Sequence, residues 1–353
     1  MIRPTTPSTI WTLTNGMAGF EVQTSAIAEA LAARLTHQEN LTENSILIHR
    51  KIINPPPPYR WLAPYGPAYQ PKDCQPPYPD ILIASGRKTI PLARHIKRAS
   101  HGKCFTVILQ NPRRAADNFD FVWAPAHDGL SGTNVFATLL SPHGLTPENL
   151  AADRQDWESR ILQKATTGNQ PLSKLGVVIG GANKIYGFTN NDQTRLIETL
   201  TAFAKAGHFL MITLSRRSPN GLAQRLSHAL QSWPHYLWAP DDGQSGNPYR
   251  GILGLADQIL VTGDSVNMLG EACVTGAPVY LFPLTPQSQR RQNSLKRFTH
   301  FHHALCETEL VSLLDDALCA KIVAQSAPPA KGVGRNSTGE IVDKIVDAIR
   351  LNT

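Results

Sequence analysis

The stretch Val261-Thr-Gly-Asp-Ser-Val-Asn-Met-Leu-Gly-Glu-Ala-Cys-Val-Thr-Gly-Ala-Pro278 decides the fold class. It reads as an apolar strand, a tight turn at Gly263, a helix, and then Gly276 and Pro278 opening another strand. Ser265 is placed to cap the helix. The bare N–H groups of such a helix point beyond the carboxyl end of the preceding strand and favour phosphate. Gly263 permits close approach of the backbone, and Asp264 sits between it and the cap. Glu271 lies nearly two turns beyond Ser265, where a carboxylate reaches sugar hydroxyls if a nucleotide's phosphates rest at the helix start.

The same strand–turn–helix alternation extends in both directions. Strands are expected at residues 9–13, 45–49, 80–84, 105–109 and 119–123, with a glycine turn at 16–19, a helix through Ile27, Leu31 and Leu35, and a basic helix over 87–100. Residues 54–79 are rich in Pro and Tyr and read as a long surface loop. A helix over 147–164 and a polar linker over 165–173 then separate a second series, with strands at 175–179, 209–214, 258–261 and 278–282. Strands spaced by helices imply parallel sheets covered on both faces. Two such series with a linker imply two Rossmann-like doubly wound α/β domains rather than one barrel. The expected division is 1–146, a connecting segment 147–173, 174–326, and a C-terminal segment 327–353 that can cross back to the first domain.

The chain has 353 residues, 41% of them hydrophobic, and a net charge of +7. That balance favours anionic partners, phosphates or anionic lipid. No zinc-finger spacing or dense basic tract points to nucleic acid. Five scattered cysteines without a C-x-x-C pair suit a reducing compartment. No signal-peptide core or membrane-spanning apolar run is evident, so a cytoplasmic protein is expected, with peripheral contact at the inner face of the membrane. His300, His302 and His303 cluster without a carboxylate at zinc-ligand spacing. Asp241-Asp242 is an adjacent pair and no D-x-D occurs. No metal and no separate cofactor are expected.

Several further groups carry candidate chemistry. Gly16 and Gly19 bracket a strand-to-helix turn able to cradle a phosphate or an acceptor group, followed by Glu21 and Gln23. Gly180-Gly181 ends a strand and would let a diphosphate approach, with Lys184 to neutralise it. Ser215-Arg216-Arg217 offers guanidiniums for bidentate phosphate contact at a sheet's carboxyl end. His127-Asp128, followed by Asn134, is the best acid–base candidate, since an Asp near a His orients the imidazole. Arg94, Lys97 and Arg98 share one helix face suited to anionic lipid. Arg290, Arg291, Lys296 and Arg297 form a second basic cluster.

The turn and helix from Gly263 to Glu271 resemble the donor-site helix of glycosyltransferase-B enzymes, in which such a Glu holds the nucleotide's ribose. TNGMAGFEVQ (14–23), QNPR (110–113), PAHDGLSGTNV (125–135), IGGANK (179–184), SRRSP (215–219) and TGDSVNMLGEA (262–272) recur in the order seen in the mitochondrial-fission ELM ("elongated mitochondria") family, which the chain resembles over about residues 9 to 285. The resemblance implies a glycosyltransferase-B fold, two domains facing a cleft. Its bacterial members are often labelled nucleoside-diphosphate-sugar epimerases. The plant member is associated with recruitment of a dynamin-like protein. The family's first motif reads T-D-G-x-A-G-H-E-N-Q; here Asn15, Phe20 and Val22 replace its Asp, His and Asn.

Three functions follow as expectations. The first is a glycosyltransferase, with Gly180, Gly181, Lys184, Ser215, Arg216, Arg217, Gly263, Asp264, Ser265 and Glu271 holding a nucleotide-sugar donor. Gly16, Gly19, Gln23 and Asn134 would line the acceptor side, and His127, Asp128 and Glu21 would supply catalysis; the acceptor would be lipid-linked or part of the cell envelope. The second is a nucleotide-sugar 2-epimerase, and the third a non-catalytic adaptor.

Overall fold

The computed structural model describes residues 8–38, 42, 45–163, 165, 173–240, 243, 246–287, 292–325 and 327–351. Most of the expected linker, Asp241-Asp242, and Arg290 and Arg291 lie outside the described residues. The chain divides into two compact units, Met1–Gly144 with Asn336–Thr353, and Leu145–Arg335.

The first unit contains β1 (Thr9–Thr14), α1 (Ala18–Gln38), β2 (Leu47–Ile52), α2 (Tyr59–Leu62), β3 (Ile81–Ser85), α3 (Ile90–Ala99), β4 (Phe105–Leu109), β5 (Phe121–Pro125) and β6 (Val135–Thr138). The sheet is parallel in the order β2-β1-β3-β4-β5-β6. Its chain order reverses between β1 and β3. The sequences ILIAS and FTVIL are buried at every position, as strands covered on both faces must be. Only the edge strands β2 and β6 show exposed positions.

The second unit contains α4 (Pro147–Leu162), β7 (Lys174–Ile179), α5 (Asn190–Lys205), β8 (Phe209–Leu214), α6 (Leu222–Leu230), β9 (His235–Trp238), α7 (Tyr249–Leu255), β10 (Gln258–Thr262), α8 (Val266–Cys273), β11 (Val279–Phe282), α9 (Gln292–Glu307), β12 (Ser312–Leu313) and α10 (Asp316–Val323). The strand order is β12-β11-β10-β7-β8-β9. This is the Rossmann order, and its reversal falls between β7 and β10. Leu196, Leu200 and Phe203 of α5 and Leu222, Leu226 and Leu230 of α6 pack with Leu175, Val177, Leu210 and Ile212 of the sheet.

Three aspartates set strand register at the amino edges. Asp80, Asp120 and Asp257 each immediately precede a strand and accept from a neighbouring strand's start: Thr9 N–H at 2.9 Å, Thr106 N–H at 2.8 Å and Lys174 N–H at 2.9 Å. Each carboxylate satisfies a backbone donor that the parallel ladder leaves open.

The last helix, α11 (Ser337–Leu351), returns to the first unit. Its Ile341, Val342, Ile345 and Val346 join a core with Ile27, Leu31 and Leu35 of α1. Thr338 Oγ1 donates to His143 O at 2.8 Å and accepts from His143 N–H at 3.0 Å. Within residues 147–164, read from sequence as a connecting helix, the described structure has α4 over Pro147–Leu162, which belongs to the second unit. There Gly254 approaches so closely that a Cβ on it would lie 2.5 Å from Leu150 O. Sequence pattern missed α2, which lies in the stretch read as a loop, and α9, α10, β6 and β12. The two strands are short sheet edges without a buried alternation, so period-2 patterning has little to work on.

Ile345 is fully buried. Ile345→Ala should cost about 2–5 kcal/mol. Amide exchange followed by mass spectrometry should show the loss in β1, β3 and β4, with β7, β8 and β10 as protected as in the wild type.

Candidate functional site

In open parallel sheets a ligand site forms beyond the carboxyl ends of the strands where the strand order reverses. In the second unit that point lies between β7 and β10, and Gly180-Gly181 and Gly263-Asp264-Ser265 follow those two strands directly. A single side chain ties them together. Asp264, with a side chain of zero exposure, accepts Thr262 Oγ1–H at 2.7 Å, Gly181 N–H at 3.0 Å and Arg217 Nη2–H at 3.0 Å. Thr262 Oγ1 in turn accepts Gly180 N–H at 2.8 Å. Asn183 Nδ2 donates to Asp264 O at 2.8 Å, and Ser218 Oγ donates to Gly180 O at 2.6 Å.

This network shows the structural part that several of the expected residues play. Gly180 and Gly181 are glycines because the space is already filled: a Cβ on Gly180 would lie 2.1 Å from Asp264 Oδ1, and one on Gly181 would lie 1.8 Å from Arg217 O. Arg217 uses Nη2 on Asp264 while its side chain stays 46% exposed, and the Asp264 carboxylate is turned inward. Gly263 is held by its neighbours too, since a Cβ would meet Leu281 Cδ1 at 3.1 Å and His302 Cε1 at 3.3 Å. Lys184 and Arg216 remain exposed on the same loops. Ser215 Oγ accepts Arg217 N–H at 3.2 Å, and Ser265 Oγ caps α8 by accepting Met268 N–H at 3.3 Å.

Beside this knot lies a cavity of about 170 Å³. Val178 and Ile179 of β7, Thr213 and Leu214 of β8, and Met268 of α8 give it apolar walls; Ser215, Asn247, Tyr249 and Glu271 supply polar groups. Tyr249 Oη–H donates a short hydrogen bond to Glu271 Oε2. Both residues are densely surrounded, with an edge open to the cavity. Burial raises the Glu271 carboxyl above its ordinary value, and the Tyr249 bond partly opposes this. Burial, then the Glu271 charge, push Tyr249 well above its ordinary value. Tyr249 and Asn247 were missed from sequence; the N-P-Y triplet at the start of α7 carries no signal that it reaches α8.

In the first unit the reversal lies between β1 and β3, followed by Gly16 and Gly86. Gly16 is left-handed at φ 79°, which a side chain would resist. Gly19 and Glu21 lie in the first turn of α1, where Glu21 complements the helix dipole. Gln23 is buried, and its Oε1 accepts Gln110 Nε2–H at 3.0 Å, so its amide is committed within the unit. Gln110 itself is left-handed at φ 82°. Asn134 Nδ2 donates to Ala116 O at 2.8 Å and Phe119 O at 3.0 Å, pinning its loop. His127 and Asp128 sit on a short 3₁₀ turn directly after β5, half-buried. The Phe20 ring crowds Gly86, 2.8 Å from where a Cβ would stand, and Asn15 Oδ1 is buried without a hydrogen-bond partner among the described residues. Among the described residues no His, Cys, Asp and Glu group is arranged to hold a metal.

Two parallel doubly wound units define a glycosyltransferase-B-like α/β protein. Solved structures agree with this at low identity. The UDP-GlcNAc 2-epimerase of Methanocaldococcus jannaschii superposes with a TM-score of 0.52 at 12% identity, covering 97% of this chain and 99% of that one. The S. aureus MnaA–UDP co-structure gives 0.50 at 11% identity, covering 97% and 96%. The chain belongs to the mitochondrial fission ELM1 family, whose model matches residues 18–332. The Arabidopsis thaliana mitochondrial fission protein ELM1 is 30% identical over 225 residues, 58% of this chain. The match spans about half, 51%, of that curated relative's length.

Asp264→Ala would leave Arg217, the Gly181 N–H and the Thr262 hydroxyl without their acceptor. It should destabilise the second unit by about 3–5 kcal/mol, read by urea unfolding. Gly181→Ala should be at least as damaging, because its clash is with backbone.

Proposed function

We propose that the second unit binds a nucleoside-diphosphate sugar and that the protein is a glycosyltransferase acting on a lipid-linked or cell-envelope acceptor. The observation that carries the binding reading is the Glu271–Tyr249 pair lining an apolar cavity beside the start of α8. About 170 Å³ is below the roughly 300–1,000 Å³ that encloses a whole drug-sized ligand. The cavity therefore takes one part of the ligand, a base or its ribose. The Tyr249 bond uses Glu271 Oε2 and leaves Oε1 to accept a ribose hydroxyl. The diphosphate rests against the first free N–H groups of α8, with Lys184 and Arg216 as its counter-charges.

Transfer also needs a base for the acceptor hydroxyl, and His127 beside Asp128, after β5, is the candidate. The family's first-motif Asp and His are Asn15 and Phe20 here, and the Phe20 ring packs over Gly86. That observation favours a second reading, a nucleotide-binding adaptor without turnover. Both readings share the donor site and differ in whether the sugar is released.

Thermal stabilisation by a panel of UDP, GDP, ADP, TDP and CMP, free and sugar-linked, tests the site. Saturation at 100 times Kd adds about 2.7 kcal/mol, and one base should shift the melting temperature in wild type and not in Glu271→Ala. No shift with any nucleotide sinks both readings. Release of free sugar or transfer to lipid by the wild type, lost in His127→Ala with binding intact, separates enzyme from adaptor.

Glu271 also carries a pH prediction. Because burial raises its folded pKa, its contribution is fully present below the unfolded value of 4.5 and falls as pH rises through the folded value. Ligand-free Glu271→Gln, which still accepts from Tyr249, should gain melting temperature on the wild type between pH 4 and pH 8. A difference that does not change with pH would contradict the assignment.

A further inference from the structure

Residues 53–79, 86–103 and 110–118 of the first unit carry ten Lys and Arg against two Asp, a larger excess than the +7 of the whole chain. These segments pack together around α2. The helix ends in a tight turn in which Tyr65 N–H and Gly66 N–H both donate to Leu62 O, at 2.9 and 2.8 Å. A Cβ on Gly66 would lie 2.5 Å from Leu62 Cβ, so only glycine closes the turn. Arg87 donates to Ala63 O and, at 3.2 Å, to Arg60 O; Arg94 donates to Gly66 O at 3.1 Å. The rings of Tyr59 and Tyr69 stand 5.8 Å apart and brace the same turn.

A turn held this firmly would be expected to bury its large apolar residues, yet it presents them. Trp61 is 68%, Tyr65 61% and Leu62 47% exposed. Arginines surround them: Arg60 lies over the Trp61 ring at 5.6 Å and Arg114 over the Tyr65 ring at 5.2 Å. Of the nearby carboxylates, Asp120 is taken by Lys97 at 3.5 Å and Asp73 by Lys51 at 4.0 Å, while Asp117 is exposed. Among the described residues none of Arg60, Arg87, Arg94, Arg98 and Arg114 forms an ion pair. The Arg94 guanidinium is lowered from its usual range by burial and then by its neighbours Arg114 and Arg98.

We infer that this turn is a membrane-docking element, with Trp61, Leu62 and Tyr65 entering the head-group region of an anionic bilayer and the surrounding arginines meeting lipid phosphates. Amphipathic rings settle where apolar and wet surroundings meet, and guanidinium stems reach outward to phosphate. The basic face expected to lie on lipid, Arg94, Lys97 and Arg98, is thereby revised. Arg94 and Lys97 are spent on Gly66 and Asp120, and the contact surface is the turn that α3 supports. A protein partner would have to bring carboxylates for each arginine, whereas an anionic bilayer supplies phosphates at every position. Stacking on nucleic acid would use Trp61 and Tyr65 but not Leu62. This docking does not depend on the transfer chemistry, because none of its residues belongs to the nucleotide site.

Sedimentation of the full chain with phosphatidylcholine vesicles, with and without phosphatidylglycerol, tests it. The wild type should partition onto the anionic vesicles and be released by salt. Trp61→Ser with Tyr65→Ser should weaken partitioning on the order of tenfold or more, and Arg60→Gln or Arg114→Gln about fivefold each. Bromine-labelled lipid should quench tryptophan fluorescence in wild type and not in Trp61→Phe, a change that keeps the bulk and hence the fold. Equal binding to neutral vesicles, or unchanged partitioning and quenching in the variants, would overturn the proposal. So would a dimer in solution that the Trp61 and Tyr65 substitutions dissolve, or loss of the vesicles to competing RNA.

Discussion

The Asp264 carboxylate is where the second unit is tied. It stands at the reversal of strand order, without solvent, and gathers a hydroxyl from its own strand's end, a backbone donor from the loop after β7 and a guanidinium from the loop after β8. Loops from three strands therefore have one relative arrangement in which no buried group is left unpaired. A buried ion pair is weak evidence of net stability, because desolvation offsets most of the attraction, but a broken one is costly. Alternative loop conformations are penalised by that cost. The position of Ser265, and with it the start of α8, follows from this constraint. Glu271 and Met268 reach the cavity only because α8 begins where Asp264 leaves it.

Carboxylates mark both edges of these sheets, with different consequences. At the amino edge Asp80, Asp120 and Asp257 answer backbone donors at strand starts and set register. At the carboxyl edge Asp264 answers a cation and leaves the other cations, Lys184 and Arg216, exposed. The edge that keeps uncompensated positive charge is the edge at which the strand order reverses. That coincidence of topology and charge, rather than either alone, makes the site suited to an anion.

The strand–helix alternation was legible because fully buried strands such as ILIAS and FTVIL leave little else to read. The location of Gly180, Gly181 and Gly263 at strand ends was legible for the same reason, but their purpose was not. A glycine pair after a strand reads alike whether a phosphate or a carboxylate of the same chain fills the space. Only the contacts of Asp264, more than eighty residues away, decide it. Glu271 could be placed from helical spacing alone, whereas its partner Tyr249 depends on how α7 lies against the sheet. Gln23 and Asn134 looked available because side-chain amides in motifs do not announce that Gln110 and the 116–119 turn already hold them. The turn carrying Trp61 was hidden in a proline-rich stretch, where neither period 2 nor period 3.6 applies.

The carboxyl edge of the first unit differs in kind from that of the second. Around its strand reversal Met17, Val22 and Ile52 are exposed, Phe20 crowds Gly86, and the arginine-ringed turn after β2 lies at the same edge. An edge built to bind a charged small molecule would present donors there, as the loops of the second unit do. Apolar side chains beside unneutralised arginines suit a ligand that is itself apolar with an anionic end. Asn15 Oδ1 is the exception, a buried acceptor without a partner among the described residues; it can receive a hydroxyl but cannot remove its proton. In the proposed transfer reading the base would be Glu21 at the start of α1 or His127, which the chain places beside Asp128 after β5. Under that reading, the replacement of an acidic first motif by Asn15 and Phe20 leaves the surface on which an acceptor would rest and asks the base of another residue.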